Sequence, residues 1–217
     1  MLELRYVWEW PVRITHWINV LSIVVLSITG FYIGHPFYTA TETAQYIMGW
    51  NRAVHFSFAY LFTLSVITRL LWAFFGNHHC SWAAFFPWLT RAGRANAWRM
   101  FRYYTFTGRQ ISYEVGHNAL AATAYSGVMV LLLLQIVTGF TLYGQFDPGG
   151  FWAGLTGPVV GLLDLQYLRL VHHLIMWLLI GFAIHHVYSA WLMDVKERNG
   201  TMTSIFGGYK FIEPEDL

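Results

Sequence analysis

The chain has 217 residues, of which 56% are hydrophobic, 19% are aromatic and only 11% are charged. With a mean hydropathy of +0.43, this composition excludes an ordinary soluble domain, in which roughly a quarter of the residues are charged. The formal net charge of +2 provides no concentrated basic face of the kind that nucleic-acid-binding domains carry. The composition therefore predicts a membrane protein.

Four apolar stretches are each long enough to cross a hydrocarbon core of about 30 Å as an α-helix. They lie at about residues 12–34, 53–75, 119–143 and 169–193. None alternates polar and apolar residues, which excludes a closed β-barrel. The predicted fold class is an all-α membrane protein, a four-transmembrane-helix bundle, with residues 1–217 as a single membrane domain. The N-terminal sequence lacks the basic start of a removable signal peptide, so the first span is expected to stay.

Basic residues are distributed unevenly between the two sides of the predicted bundle. Ten Lys and Arg residues fall in the N-terminal segment, the 76–118 loop and the 194–217 tail, whereas only Arg52 and Arg169 lie beside the other two loops. The positive-inside rule therefore predicts that both termini and the long loop are cytoplasmic. Cys80 is the only cysteine, which excludes an internal disulfide and argues against a thiolate metal site.

The two longer loops differ in composition. The 76–118 loop is rich in aromatic and basic residues, as expected of a segment at the cytoplasmic headgroup level. The outer loop at about 144–168 is rich in glycine, contains two prolines and has much apolar surface. We expect this outer loop to be a docking surface, a re-entrant segment or an interfacial loop.

A short internal repeat relates the four helices in pairs. The first and third spans carry Thr-Gly-Phe towards their outer ends, at residues 29–31 and 138–140. The second and fourth spans open with Arg-x-Val-His, at residues 52–55 and 169–172. The pattern favours a two-helix unit that has been used twice.

Histidine, an expensive residue at membrane depth, occurs in three of the four predicted spans. These histidines are His16 in the first span, His55 in the second, and His172, His173, His185 and His186 in the fourth. A single one would be explained by a hydrogen bond between helices. His172 and His186, however, are fourteen residues apart, which places them about 21 Å apart along the helix and within about 40° of the same face. His173 and His185 are about 120° out of register with each other.

The direction of each helix gives these two histidines a partner at their own depth. His55 is expected to face His172 on the outer side, and His16 is expected to face His186 on the inner side. Two imidazoles at one depth on facing helices are the axial ligands that a six-coordinate haem b needs. A bare metal such as zinc usually needs three or four converging ligands, and a proton relay favours Asp or Glu, which the spans lack. The sequence therefore predicts two haem b groups and electron transfer across the membrane.

The repeat also assigns a place to three arginines. It maps His186 of the fourth span onto Arg69 of the second. Arg69 is predicted to pair with a propionate of the inner haem or to extend to the cytoplasm, and Arg52 and Arg169 are predicted to do likewise on the outer side.

Longer segments carry a resemblance to a known family. They are "PVRITHWINVLSIVVLSITGFYIG", "VHFSFAYLF", "RLLWAFFGN", "GHNALA", "TGFTLY", "MWLLIGFAIHHVY" and "TMTSIFGGY". Nearly the whole chain resembles the b-type cytochrome subunit of membrane-bound nickel-iron uptake hydrogenases and, more distantly, the cytochrome subunit of respiratory formate dehydrogenase.

The resemblance implies a haem-b subunit that anchors a periplasmic hydrogenase in the cell membrane of a bacterium or archaeon. Electrons from H2 oxidation would arrive through the iron-sulfur clusters of the hydrogenase small subunit, pass the outer and inner haems, and reduce menaquinone or ubiquinone near the cytoplasmic side. The H2-splitting site would lie on the large subunit, so no residue of this chain is expected to carry out H2 chemistry.

The resemblance implies the same haem ligands as the depth argument, His16, His55, His172 and His186. The family has one histidine at each fourth-span position, so the doublets here leave His173 and His185 as alternative ligands. His117 and Asn118 are the implied candidates for binding quinone. Alternatively, Asn118 only caps the third span, because asparagine is favoured at that position.

Two other functions stay open. One is a b561-type di-haem cytochrome that serves another dehydrogenase or oxidises quinol. The other is a haem-free membrane anchor or small transporter whose histidines bond neighbouring helices. Both cytochrome interpretations predict b-type absorbance, whereas the haem-free interpretation predicts none.

Overall fold

The computed structural model describes residues 3–42, 45–109 and 115–212, and most of these residues are helical. The elements, in chain order, are β1 (Glu3–Tyr6), α1 (Trp10–Gly34), α2 (Ile47–Phe75), α3 (Trp82–Phe85), a 3-10 turn (Pro87–Leu89), α4 (Arg91–Tyr104), α5 (Ala119–Gly144), α6 (Phe151–Leu162), α7 (Leu165–Glu197), α8 (Thr201–Gly207) and β2 (Tyr209–Ile212).

Four of these helices, α1, α2, α5 and α7, are long and apolar enough to cross a membrane. They have 25, 29, 26 and 33 residues, with mean hydropathies between 1.6 and 2.0. They cover the four predicted spans and extend past them, because the polar and aromatic residues that flank an apolar span still continue its backbone hydrogen bonds. These helices fit a multi-pass membrane protein.

The chain divides into two compact units, and each long helix contributes a segment to both. The terminal unit comprises the described residues of Met1–Thr15, Thr68–Val130 and Ala183–Leu217. The helix unit comprises the described residues of His16–Ile67 and Leu131–Phe182.

In the terminal unit, the two ends of the described chain pair in a short sheet. β1 and β2 run antiparallel, with Glu3 opposite Ile212 and Tyr6 opposite Tyr209. Gly208 precedes β2 with a φ of +90°, and a Cβ at this position would lie 2.7 Å from the ring of Tyr6. Only glycine fits both the backbone conformation and the close contact. The two ends of the described chain therefore lie together.

A small apolar core joins the N-terminal segment to the loop that follows α2. Its buried members are Val7, Trp8, Val12 and Cys80. The carboxylate of Glu9 accepts hydrogen bonds from Trp72 Nε1 at 2.9 Å and from Asn77 N at 2.8 Å. These bonds hold the start of α1 against the end of α2 and the first residues of the loop that follows α2.

The 76–118 loop contains an amphipathic helix, α4. Thr90 caps its N-terminus by accepting a hydrogen bond from Gly93 N at 3.0 Å, as N-cap threonines commonly do. Met100 is fully buried, and the helix carries Arg94 and three further arginines. This combination agrees with the predicted position at the headgroup level, which stays a prediction.

The glycine-rich outer loop contains a helix that the sequence did not predict. α6 has twelve residues and includes Pro158. Trp152 of α6 stacks on Phe140 of α5 with the ring centroids 3.9 Å apart, and its indole nitrogen donates to the hydroxyl of Tyr60 on α2 at 2.6 Å. Glycine and proline have low helix propensity, and these packing contacts offset that unfavourable contribution.

Candidate haem-binding site

The predicted outer pair, His55 and His172, lies within the helix unit. His55 is on α2, His172 is on α7, and both rings are half-buried. A Cβ on Gly30 of α1 would lie 3.4 Å from His55 Cε1 and 4.0 Å from the sulfur of Met176, which is one turn beyond His172 on α7. The structure therefore brings together the two histidines that the sequence predicts for one haem.

A threonine of a neighbouring helix holds each of these rings. Thr29 Oγ1 on α1 lies 2.9 Å from His55 Nδ1, and Thr138 Oγ1 on α5 lies 2.9 Å from His172 Nδ1. Both threonines belong to the Thr-Gly-Phe segments of the internal repeat. The two copies of the repeat therefore share the same threonine–histidine contact as well as the same sequence.

Each threonine hydroxyl already donates its proton to a backbone carbonyl. Thr29 donates to a carbonyl of its own helix at 2.7 Å, and Thr138 does the same at 2.8 Å. A hydroxyl has one proton and two acceptor lone pairs, so each threonine oxygen accepts the bond from the histidine. This network assigns the proton of each ring to Nδ1, which leaves the lone pair of Nε2 for a metal.

The glycines next to these threonines give the imidazole rings room. A Cβ on Gly30 would lie 3.4 Å from His55 Cε1, and a Cβ on Gly139 would lie 3.2 Å from His172 Cε1. In each copy of the repeat, threonine supplies the hydrogen bond and glycine supplies the space. The arrangement fits two axial imidazole ligands of a haem.

Gln135 would have to move for a metal to bind His172. Its Nε2 lies 3.2 Å from His172 Nε2, on the nitrogen that a metal would use. Its Oε1 is buried without a hydrogen-bond partner in the described part of the chain. Turning the side chain away therefore breaks this single bond, and the residues present fit a bis-histidine haem.

The structure separates the two members of the first histidine doublet. His173 donates from Nδ1 to the carbonyl of Arg169 in its own helix at 2.7 Å. Its ring packs on α1, where a Cβ on Gly34 would lie 2.8 Å from His173 Nε2. His172, by contrast, makes the same threonine contact as His55. These contacts favour His172 as the ligand.

His186 lies in the terminal unit and contacts a tyrosine. Its Nδ1 is 3.2 Å from the hydroxyl of Tyr125, whereas the adjacent His185 is exposed. These contacts favour His186 over His185. His16 belongs to the helix unit, where its ring meets Trp17 edge-on at 5.1 Å. Its pairing with His186 stays a prediction.

The candidate quinone residue His117 lies between two aromatic rings of the terminal unit. The ring centroid of His117 is 4.6 Å from that of Trp8 and 4.5 Å from that of Tyr125. Tyr125 also reaches His186. One side chain thus joins the candidate quinone residue to a candidate ligand of the inner haem.

Asn118 caps α5, as the alternative interpretation predicted. Its Oδ1 accepts a hydrogen bond from Ala121 N at 2.9 Å. Burial raises the pKa of Tyr104, and a side-chain hydrogen bond to Asn118 lowers that pKa in part. The capping role is confirmed, and a role of Asn118 in quinone binding stays a prediction.

The three arginines predicted to face haem propionates contact protein groups. Arg69 donates to the carbonyl of Cys80 at 3.3 Å, and its guanidinium lies 4.5 Å from the ring centroid of Phe85. Arg52 lies over an aromatic ring that follows α5 at 5.2 Å, and Arg169 bonds a neighbouring glutamine at 3.3 Å. Their pairing with propionates stays a prediction.

Sequence reasoning noticed Thr29 and Thr138 only as part of a repeat and missed their contacts with histidine. The signal that could have found them is the repeat itself, because it places a threonine on one helix and a histidine on the next in both copies. Tyr125 and Gln135 have no such signal, since neither belongs to the repeated Thr-Gly-Phe or Arg-x-Val-His segments.

Comparison with known proteins identifies the family of the chain. The sequence profile of the prokaryotic cytochrome b561 family matches residues 7–208. The chain is 38% identical to a protein of Cupriavidus necator over 96% of this chain and 88% of that protein. It is 36% identical to a protein of Bradyrhizobium diazoefficiens, with 94% and 84% covered, and 32% identical to one of Escherichia coli K12, with 95% and 90% covered.

The first two relatives are named probable Ni/Fe-hydrogenase B-type cytochrome subunits, and the third is named a probable Ni/Fe-hydrogenase 1 B-type cytochrome subunit. The resemblance predicted from the sequence segments is confirmed by these similarities over nearly the whole chain. The chain belongs to the prokaryotic cytochrome b561 family.

Proposed function

We propose that the chain is the di-haem cytochrome b subunit that anchors a periplasmic Ni/Fe hydrogenase and carries electrons from H2 oxidation to quinone. The observation that supports this function best is the matched pair His55 and His172, each with Nδ1 bonded to a threonine. The names of the relatives support a hydrogenase as the partner.

Four histidines hold two haems in this proposal. His55 and His172 bind the outer iron, and His16 and His186 bind the inner iron. When bound, haem b supplies an iron that alternates between the ferric and ferrous states and so carries one electron at a time. The surrounding apolar helices exclude water from the ligands, and the arginines at positions 52, 69 and 169 neutralise the propionates.

Quinone is reduced near the inner haem in this proposal. His117 bonds a quinone carbonyl and supplies its proton, and Asn118 supplies a second hydrogen bond. Tyr125 supports this assignment because it contacts both His117 and His186. The subunit is then the quinone-reducing part of a hydrogen:quinone oxidoreductase, and H2 is split on other chains.

Both ends of the chain face the cytoplasm in this proposal. The pairing of β1 with β2 supports a shared side for the two ends, and most of the Lys and Arg residues belong to the terminal unit. The positive-inside rule assigns such a side to the cytoplasm. The hydrogenase small and large subunits then lie on the periplasmic face of the cell membrane.

A second candidate is a b561-type cytochrome that serves another dehydrogenase or oxidises quinol. Membership of the b561 family favours it, because the same histidines would hold the same haems. The two candidates differ in the electron donor. The relatives named as hydrogenase subunits favour the first.

A visible spectrum tests the whole proposal. Membranes that contain this subunit with its co-expressed hydrogenase subunits are examined before H2, after H2 and after added quinone. We expect about two b haems per chain, reduced by H2 and reoxidised by quinone. Haems that dithionite reduces but H2 does not would contradict the hydrogenase function and favour the second candidate. Folded protein without haem would contradict the site itself.

A further inference from the structure

We infer that Thr29 and Thr138 are positioning residues that fix the tautomer of the two outer ligands and lower the reduction potential of the haem those ligands hold. The inference rests on the proposed function only in requiring a haem between His55 and His172. It does not depend on which protein donates the electrons.

The first step is the direction of the two hydrogen bonds. Each threonine oxygen lies 2.9 Å from a histidine Nδ1, and each hydroxyl proton is directed at a carbonyl of the threonine's own helix. The histidine must then be the donor in both pairs. Protonation at Nδ1 leaves Nε2 as the only ring nitrogen that can bind iron.

The second step is the effect of donation on the ligand. An imidazole that donates its remaining N–H becomes a more basic ligand, and a more basic ligand stabilises ferric over ferrous iron. The site lies among apolar helices, where hydrogen bonds are stronger than in water. The haem held by His55 and His172 therefore has a lower reduction potential than it would have if the two threonine oxygens did not accept these hydrogen bonds.

The third step is the consequence for electron flow. Electrons move spontaneously from a centre of lower potential to one of higher potential. Lowering the potential of the haem held by His55 and His172 favours transfer from that haem towards the one held by His186. The two threonines thus favour the outer haem as the electron donor within the subunit.

The test uses valine, which has nearly the shape of threonine and lacks the hydroxyl. Thr29→Val and Thr138→Val are each compared with wild type by chemical redox titration of the intact complex, with the optical spectrum as the readout. Each variant should raise the ferrous-to-ferric ratio of one haem about tenfold at a fixed applied potential, which is about 59 mV for one electron. The other haem should keep its potential.

The chain offers a matched control on α5. Thr141 makes the same bond to a carbonyl of its own helix, at 2.7 Å, and is fully buried. In the part of the chain that the structure describes, no histidine is bonded to its hydroxyl. Thr141→Val should therefore leave both potentials unchanged. An equal shift in this control would show that loss of a buried hydroxyl, rather than of the histidine bond, is responsible.

Serine variants decide the case if valine weakens haem binding. Thr29→Ser and Thr138→Ser keep the hydroxyl and should retain both haems and the wild-type potentials. Unchanged potentials in the valine variants, or shifted potentials in the serine variants, would overturn the inference. Because dithionite and mediators replace H2 in this titration, its outcome is independent of whether H2 reduces the haems.

Discussion

Tyr125 connects two histidines of the terminal unit through different parts of one side chain. Its hydroxyl lies 3.2 Å from His186 Nδ1, while its ring contacts His117. Tyr125→Phe removes the first contact and keeps the second. We expect the potential of the inner haem alone to change, by roughly two- to tenfold in the ferrous-to-ferric ratio, because only its ligand loses a hydrogen-bond partner. A redox titration measures this, and a shift confined to the outer haem would contradict the assignment of His186.

The histidine doublets give a second residue-level prediction. His172→Ala and His186→Ala should each lower the haem content from about two to about one per chain, because each removes an axial ligand. His173→Ala and His185→Ala are the adjacent controls and should keep about two haems per chain. Haem extraction and quantification per purified chain measures the difference. If a control variant lost haem and the variant of the adjacent histidine did not, the control histidine would be the ligand.

At the residue scale, the sequence predicts which histidines are candidates but not what holds them. The fourteen-residue spacing of His172 and His186 follows from helix geometry alone, so it can be worked out from sequence numbers. The contact of Thr138 with His172 depends on how two helices pack, which no local pattern specifies. Gln135 illustrates the same limit, because its contact with His172 Nε2 exists only once α5 and α7 have packed together.

At the element scale, the four long helices are predictable because hydrophobic length alone separates them from the rest of the chain. α6 was missed because its glycines and Pro158 have low helix propensity, and packing contacts that the sequence does not reveal stabilise the helix. β1 and β2 were missed for a different reason. Each has only four residues, too few to show an alternating pattern, and each is stabilised by a partner at the other end of the chain.

The close approach of α5 to the outer ligand leads to an element-level prediction. Gly139→Ala would place a Cβ 3.2 Å from His172 Cε1 and should destabilise the folded protein by about 1–3 kcal/mol through overpacking. Gly127→Ala is the matched control on the same helix, because a Cβ there meets nothing within 4 Å. It should be neutral or stabilising by up to about 1 kcal/mol. Thermal unfolding followed by circular dichroism in detergent compares the two, and equal losses would contradict the role of the close contact.

At the scale of the whole molecule, the terminal unit gathers positive charge around His79. Burial lowers the pKa of His79 from its ordinary value of 6.5, and the charges of His78, Lys210 and Arg5 lower it further. Between that lowered pKa and the ordinary value, the unfolded chain binds a proton that the folded chain does not. Stability should therefore fall as the pH drops below 6.5.

The midpoint of thermal unfolding between pH 7 and pH 5 checks this expectation. His79→Gln removes the titrating group while keeping a polar side chain of similar reach, so its midpoint should fall less over the same range. An identical decline in wild type and variant would show that other groups cause the acid sensitivity. The orientation of the bundle is also a whole-molecule property. The sequence predicts it through its basic residues, and it stays a prediction.

The pairing of β1 with β2 also has a consequence for biosynthesis. β1 precedes all four long helices in the chain, and β2 follows them. All four long helices are therefore made before the sheet can form, and the small core around Val7 and Trp8 stays without its Gly208 contacts until β2 has been synthesised. Because chains begin to fold from the N-terminus during synthesis, the helices can begin to fold and insert before this sheet closes.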